Sequence, residues 1–132
     1  MSPAPVGQDP LDAGRLRQGA IVWIHPEDAP EVVPTHPHPH VIVQDDLFNR
    51  SRITTVVVCA LTSNLRRADE PGNILLEPGE GGLPRQSVVV VSQISSVEKA
   101  RVGQRIGQLS PERVVAILDG LRFQQRGYFG DR

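Results

Sequence analysis

Apolar residues gather in short runs along this chain, separated by polar stretches rich in proline and glycine. QGAIVWIH, residues 18–25, reads as a first strand, because Ile21, Val22, Trp23 and Ile24 all favour extended backbone. HVIVQDD (40–46) reads as a second strand. RITTVVVCALTS (52–63) reads as a third, apolar enough to be buried on both faces. ILLEP (74–78), SVVVVSQI (87–94) and RIGQLS (105–110) give three more. Between the first two strands, residues 26–39 hold five prolines and predict a long loop. Residues 47–52 predict a single turn, 79–86 a glycine-rich loop, and SSVEKARVGQ a connection.

The period then changes. Ser110 is a good N-cap, Pro111 suits the first helical position, and Glu112 favours the positive end of the helix dipole. Val114, Ile117, Leu118 and Leu121 recur at helical spacing, which predicts a closing helix of about ten to fifteen residues. The expected fold is mainly β: a small barrel with a C-terminal α-helix. Residues 1–17 read as a flexible arm, 18–126 as one barrel domain, and 127–132 as a tail.

A length of 132 residues fits one domain. Cys59 is the only cysteine, so no internal disulfide forms, which fits a reducing cytoplasm. The polar, proline-rich N-terminus does not read as a signal peptide, and no apolar run is long enough to span a membrane. Net charge is −1 and favours no class of partner. The basic residues are 13 arginines and one lysine, Lys99; arginine forks match phosphate geometry, though an arginine-heavy genome gives the same bias.

Several segments in register resemble the MazF/PemK (Kid) toxins. They are GAIVWI, HPHVIVQDDLFNRS, TTVVVCALTSNLRRA, GNILLEPGEGGLPRQSVVVVSQISSVEK and QLSPERVVAILDGL, spanning most of the chain. The resemblance implies an SH3-like barrel of the CcdB/MazF/PemK type, acting as a homodimer. It implies endoribonuclease activity on single-stranded RNA with no metal or other cofactor. It also implies a cognate antitoxin whose disordered acidic tail covers the RNA groove, and DNA binding through the antitoxin complex. The family's catalytic threonine maps to Thr62, followed by Ser63 and Asn64. The family's Arg-Pro pair before the second strand is His38-Pro39 here, and the proline two residues before the threonine is Ala60.

Metal-free RNA scission needs a base for the 2′-hydroxyl, an acid for the leaving 5′-oxygen, and a cation or donors for the phosphate. Arginine, with a pKa above about 12, serves only the last. Imidazole, titrating near 6.5, suits the first two, and THPHPH (35–40) carries His36, His38 and His40. The expected mechanism is transesterification to a 2′,3′-cyclic phosphate, with His38 in the position of the family's arginine. His36 or His40 would pair with it, and Thr62 would donate a hydrogen bond. Arg50 or Arg85 would supply charge. The competing reading is a non-catalytic relative that binds RNA or an antitoxin. A zinc site is the third reading, but the interleaved prolines favour a polyproline helix that fans the rings apart.

The remaining candidates are weaker. Arg66 and Arg67 suit either phosphate contacts or a solvated turn. Arg85 sits where glycines allow a ligand close to the backbone. Gln93 can face the groove. Asp45 and Asp46 fit loop capping better than acid–base work. Trp23 and Cys59 read as core.

Overall fold

The structure, a computed structural model, describes residues 15–26 and 38–126. The N-terminal arm and the C-terminal tail of the sequence reading fall wholly or almost wholly outside them. Six strands form where β-branched residues cluster. They are β1 (Ala20–Ile24), β2 (His38–Ile42), β3 (Thr55–Thr62), β4 (Ile74–Leu76), β5 (Ser87–Glu98) and β6 (Val102–Gln108). They build one antiparallel sheet in the order β4-β5-β3-β2-β1-β6. A short helix α1 (Asp46–Asn49) follows β2, and α2 (Pro111–Arg126) closes the chain.

The sheet has a core on each face, because strand residues alternate sides. On one face Ile21, Val41, Cys59, Leu61 and Val89 pack with Ile117 and Leu121 of α2. On the other, Val22, Ile24, Ile42, Val58, Val97 and Val102 pack together as the strands curl. No ladder joins the edge strands β6 and β4. The turn Glu80–Gly82, just after β4, covers the gap instead. Its approach is so close that a Cβ on Gly107 would collide with the carbonyl of Gly81, and both Gly81 and Gly82 hold positive φ. The expected small barrel is therefore sealed by backbone packing along one seam.

Several element boundaries differ from the sequence reading, β6 beginning at Val102 inside the expected connection among them. First, β2 begins at His38, inside the expected loop. Pro39 is tolerated there because the β3 ladder starts only at His40, so its missing N–H falls where only β1 is paired. The segment His38–Pro39–His40 is thus extended rather than polyproline, with both rings on one side. Second, β5 runs on to Glu98. Its register against β3 jumps between Ala60↔Val90 and Cys59↔Ile94, a bulge that lets the strand continue through SSVE. Third, α2 has 16 residues, reaching Arg126.

Asp45 caps α1 by accepting the Leu47 amide at 2.8 Å, the loop role expected for it. Asp46 Oδ1 accepts the Gln18 amide at 2.7 Å and Asn49 Nδ2 at 3.0 Å. Both carboxylates are thereby structural. The one lysine also finds a role. Lys99 Nζ donates to the carbonyls of Asn49 and Ser51 at 3.1 and 3.0 Å, and more loosely to Phe48 at 3.4 Å. A compact ammonium suits carbonyls converging on one point better than a planar fork does.

Arg113 ties α2 to the seam. Its Nε and Nη2 donate to the two carboxylate oxygens of Glu80 at 2.8 and 2.9 Å. The Arg113 bonds, then the Glu77 amide, hold the Glu80 carboxyl below the ordinary value of 4.5. The unfolded chain takes up that proton at higher pH than the folded one. The pair's contribution is therefore complete above 4.5 and is lost on acidification. Glu80→Gln is expected to lower unfolding free energy by about 1 kcal/mol at pH 7, discounted for partial exposure. The gap should close toward pH 3 in urea titrations; a gap unchanged between the two pH values contradicts this account.

Candidate functional site

The β2–β3 register places the residues that carry chemistry. His40 pairs with Ala60, Val41 with Cys59 and Ile42 with Val58. The ladder between the two strands ends at His40 and Ala60, and His38 and Thr62 lie two residues beyond it on their own strands. Directly opposed residues share a face of the sheet and side chains alternate along a strand, so His38, His40 and Thr62 face the same way. On the far side, Ile24 pairs with His38 and Val22 with His40. Both belong to the second core, so the two rings stand at its rim.

His40 is half-buried there. Its Nδ1 lies 3.0 Å from the His38 carbonyl oxygen. A carbonyl only accepts, so Nδ1 carries the proton and the neutral ring keeps its lone pair on Nε2. Burial lowers the His40 pKa below 6.5. The bond to the His38 carbonyl opposes this, and the nearby His38 ring and the Arg101 guanidinium push further down. The result is a neutral imidazole with a fixed tautomer, the condition a general base needs.

Thr62 ends its strand in a tight turn. Its Oγ1 accepts the Asn64 amide at 3.1 Å, which fixes the side chain and leaves the hydroxyl proton to be donated elsewhere. Asn64 in turn caps the turn Leu65–Asp69, its Oδ1 accepting the Arg66 amide at 3.2 Å. Ser63, Asn64 and Arg66 are exposed beside Thr62. Arg67 points to other work: its Nε reaches both Glu70 oxygens at 3.1 Å, and Nη2 lies 3.0 Å from Oε1.

The other candidates scatter. Arg85 is exposed on the loop entering β5, three residues before Val88, which pairs with Thr62. Gln93 is exposed within the β5 bulge, beside the row that holds Ala60 and His40. Arg50 caps the C-terminus of α1, at the opposite end of β2 from His38. His36 lies outside the described residues. Among the described residues no group of three or more His, Cys, Asp or Glu could hold a metal ion. Cys59 is fully buried, and burial pushes its thiol up to about 12, so it is inert at neutral pH. Trp23 is half-buried opposite Pro39.

One residue near the imidazoles escaped the sequence reading. Arg101 ends the turn Lys99–Arg101, where the sequence suggested only a connection. Its Nε donates to the His25 carbonyl at 2.7 Å, across 76 positions of sequence. No spacing along the chain reports that approach.

Comparison with known proteins gives the family. Residues 17–124 match the family described as PemK-like, MazF-like toxin of type II toxin-antitoxin system. Endoribonuclease MazF6 of Mycobacterium tuberculosis is 35% identical over 89 residues, 67% of this chain and 78% of that protein. Endoribonuclease EndoA of Bacillus subtilis is 27% identical over 84 residues, 64% and 72% of the two chains. In fold, the chain is similar to a mycobacterial endoribonuclease solved in complex with its cognate antitoxin. That match has a TM-score of 0.66 and 20% identity, and covers 83% of this chain and 93% of that one. A MazE–MazF structure from Deinococcus radiodurans gives a TM-score of 0.63 at 15% identity, covering 83% and 93%. The chain belongs to the PemK-like, MazF-like toxins of type II toxin–antitoxin systems.

Proposed function

We propose that this protein is an endoribonuclease that cuts single-stranded RNA without a metal, by transesterification to a 2′,3′-cyclic phosphate. The observation that carries the reading is the shared face of His38, His40 and Thr62, with the His40 tautomer set by the His38 carbonyl. The relatives' own activity supports the reaction class.

His40 Nε2 takes the proton from the ribose 2′-hydroxyl. The 2′-oxygen attacks phosphorus, and the bond to the 5′-oxygen breaks. His38, protonated at the start, gives its proton to that oxygen, leaving a cyclic phosphate on one fragment and a 5′-hydroxyl on the other. Thr62 donates its hydroxyl proton to a non-bridging oxygen as charge builds there. Each turnover leaves the two rings with their protonation exchanged, and solvent resets them. Ser63, Asn64, Arg66, Arg85 and Gln93 flank this face and are the proposed RNA contacts. Arg67 is paired with Glu70, and Arg50 lies at the end of β2 away from His38, which weakens the case for them. The protein acts in the cytoplasm as a homodimer, and an antitoxin segment laid over the same face keeps it inactive. Structures of similar fold solved with antitoxins support that last point.

Three outcomes are expected. Cleavage of a mixed-sequence RNA should proceed equally with and without EDTA and give 2′,3′-cyclic phosphate ends. Loss of cleavage in EDTA would replace the mechanism with a metal-dependent one, and bound but uncut RNA would favour a binding module. His40→Gln and His38→Gln should each lower kcat/KM by about 10²–10⁴-fold, and Thr62→Val by about 10²-fold. His38→Gln cutting at the wild-type rate would remove His38 from the chemistry. Because burial and neighbouring charge lower the His40 pKa, the acid limb of kcat/KM should be centred below 6.5. An acid limb centred above 6.5 would exclude His40 as the base.

A further inference from the structure

The closing helix α2 has two unlike faces. Ile117, Gly120 and Leu121 are buried, and Ile117 and Leu121 join the first core. Gly120 locks the roll of the helix, because a Cβ there would collide with the Gly72 carbonyl. The opposite face is thereby held outward. At about 100° per residue it carries Glu112, Val115, Asp119, Arg122, Phe123 and Arg126, all of them exposed. Val115 and Phe123 each keep 57% of their surface in solvent, so the fold makes little use of either. The charges on this face are ordered, with both acids ahead of both arginines. Arg113, the remaining charged residue of α2, is committed elsewhere, to Glu80.

We propose that this face docks a second copy of the chain, with the two α2 helices antiparallel about a twofold axis at Asp119. The proposal rests on the homodimer reading above and names the surface that forms it. In such a pair, residues equally far from position 119 lie opposite each other. Val115, four residues before it, meets Phe123 of the second copy, four residues after it. Glu112, seven before, meets Arg126 of the second copy, seven after. Twofold symmetry repeats both contacts, and the two apolar ones lie about 12 Å apart along the helix. The two Asp119 carboxylates come together at the axis. Each already pairs with its own Arg122 at 3.4 Å, which offsets their repulsion.

Charge order selects this arrangement. A parallel pair would set Glu112 against Glu112 and Arg126 against Arg126, and like charges so placed oppose docking. The antiparallel pair joins opposite charges at both ends and apolar side chains between them. It also leaves the chemistry clear. His38, His40 and Thr62 face the side of the sheet away from α2, so a copy seated on α2 covers neither RNA face.

The test measures the dimer dissociation constant of the full chain by sedimentation equilibrium, with far-UV circular dichroism as the control for folding. Phe123→Glu should raise that constant by about 100-fold, since one substitution removes two apolar contacts. Glu112→Arg and Arg126→Glu should each raise it by about tenfold, and the double variant should return to within about threefold of wild type. Asp119→Cys, incubated with oxidised glutathione, should give a disulfide-linked dimer. Cys59 is fully buried and does not compete. A wild type that stays monomeric at every concentration overturns both this proposal and the homodimer reading. A dimeric wild type whose constant none of the variants changes overturns this proposal alone and places the interface elsewhere. Variants that keep the wild-type constant but bind a single-stranded 2′-deoxy oligonucleotide more weakly also overturn it, and give the face to nucleic acid.

Discussion

The pairing of β2 with β3 is the constraint from which the rest follows. Side chains alternate along a strand, so a slip of one residue would move His38 and His40 to the face packed under α2 and bring Val41 to the rim. The register is fixed at the other end of the hairpin, in the turn through α1. There Asn49, almost fully buried, donates to the Gln44 carbonyl and to Asp46, and accepts from the Gln44 side chain. Gln44 also reaches toward the Thr55 carbonyl where β3 begins. Lys99 closes the turn from the end of β5. A polar knot remote from any chemistry thereby decides which side chains meet at the rim.

Most of the strands were legible because runs such as TVVVCALT and SVVVVS admit few alternatives. Their ends were less so. Proline normally marks a boundary, yet Pro39 sits inside β2, because a neighbour's ladder starting one residue later relieves it of its missing donor. The continuation of β5 through SSVE was hidden for a related reason. The apolar alternation is interrupted by a bulge, and only pairing with Thr55 and Val56 restores the strand. Thr62 and His38 were singled out through resemblance alone, whereas the capping role of Asp45 was legible through its own chemistry. Arg101 was not, since its place depends on β6 crossing the sheet to lie against β1, which no local pattern encodes.

The two functional pulls on His40 come from one structural fact. The ring sits where the second core meets solvent. Deeper burial would keep it neutral at every relevant pH but close it to RNA. Full exposure would let it protonate with no bias and lose the carbonyl that selects its tautomer. Half-burial beside Val22 and Ala60 lowers the pKa of the ring while leaving part of the residue exposed.

Charge at this rim also works in two directions. A cation near an imidazole disfavours its protonation, so the Arg101 guanidinium, after burial and the His38 ring, helps keep the His40 ring neutral. On the proposed mechanism an arriving phosphodiester would offset part of that charge, and the ring would become easier to protonate as it takes the 2′-hydroxyl proton. Substrate binding would then raise the basicity of the group proposed to act on it. An arginine at position 38 would stay charged at every working pH and could not serve as the proton donor that His38 is proposed to be.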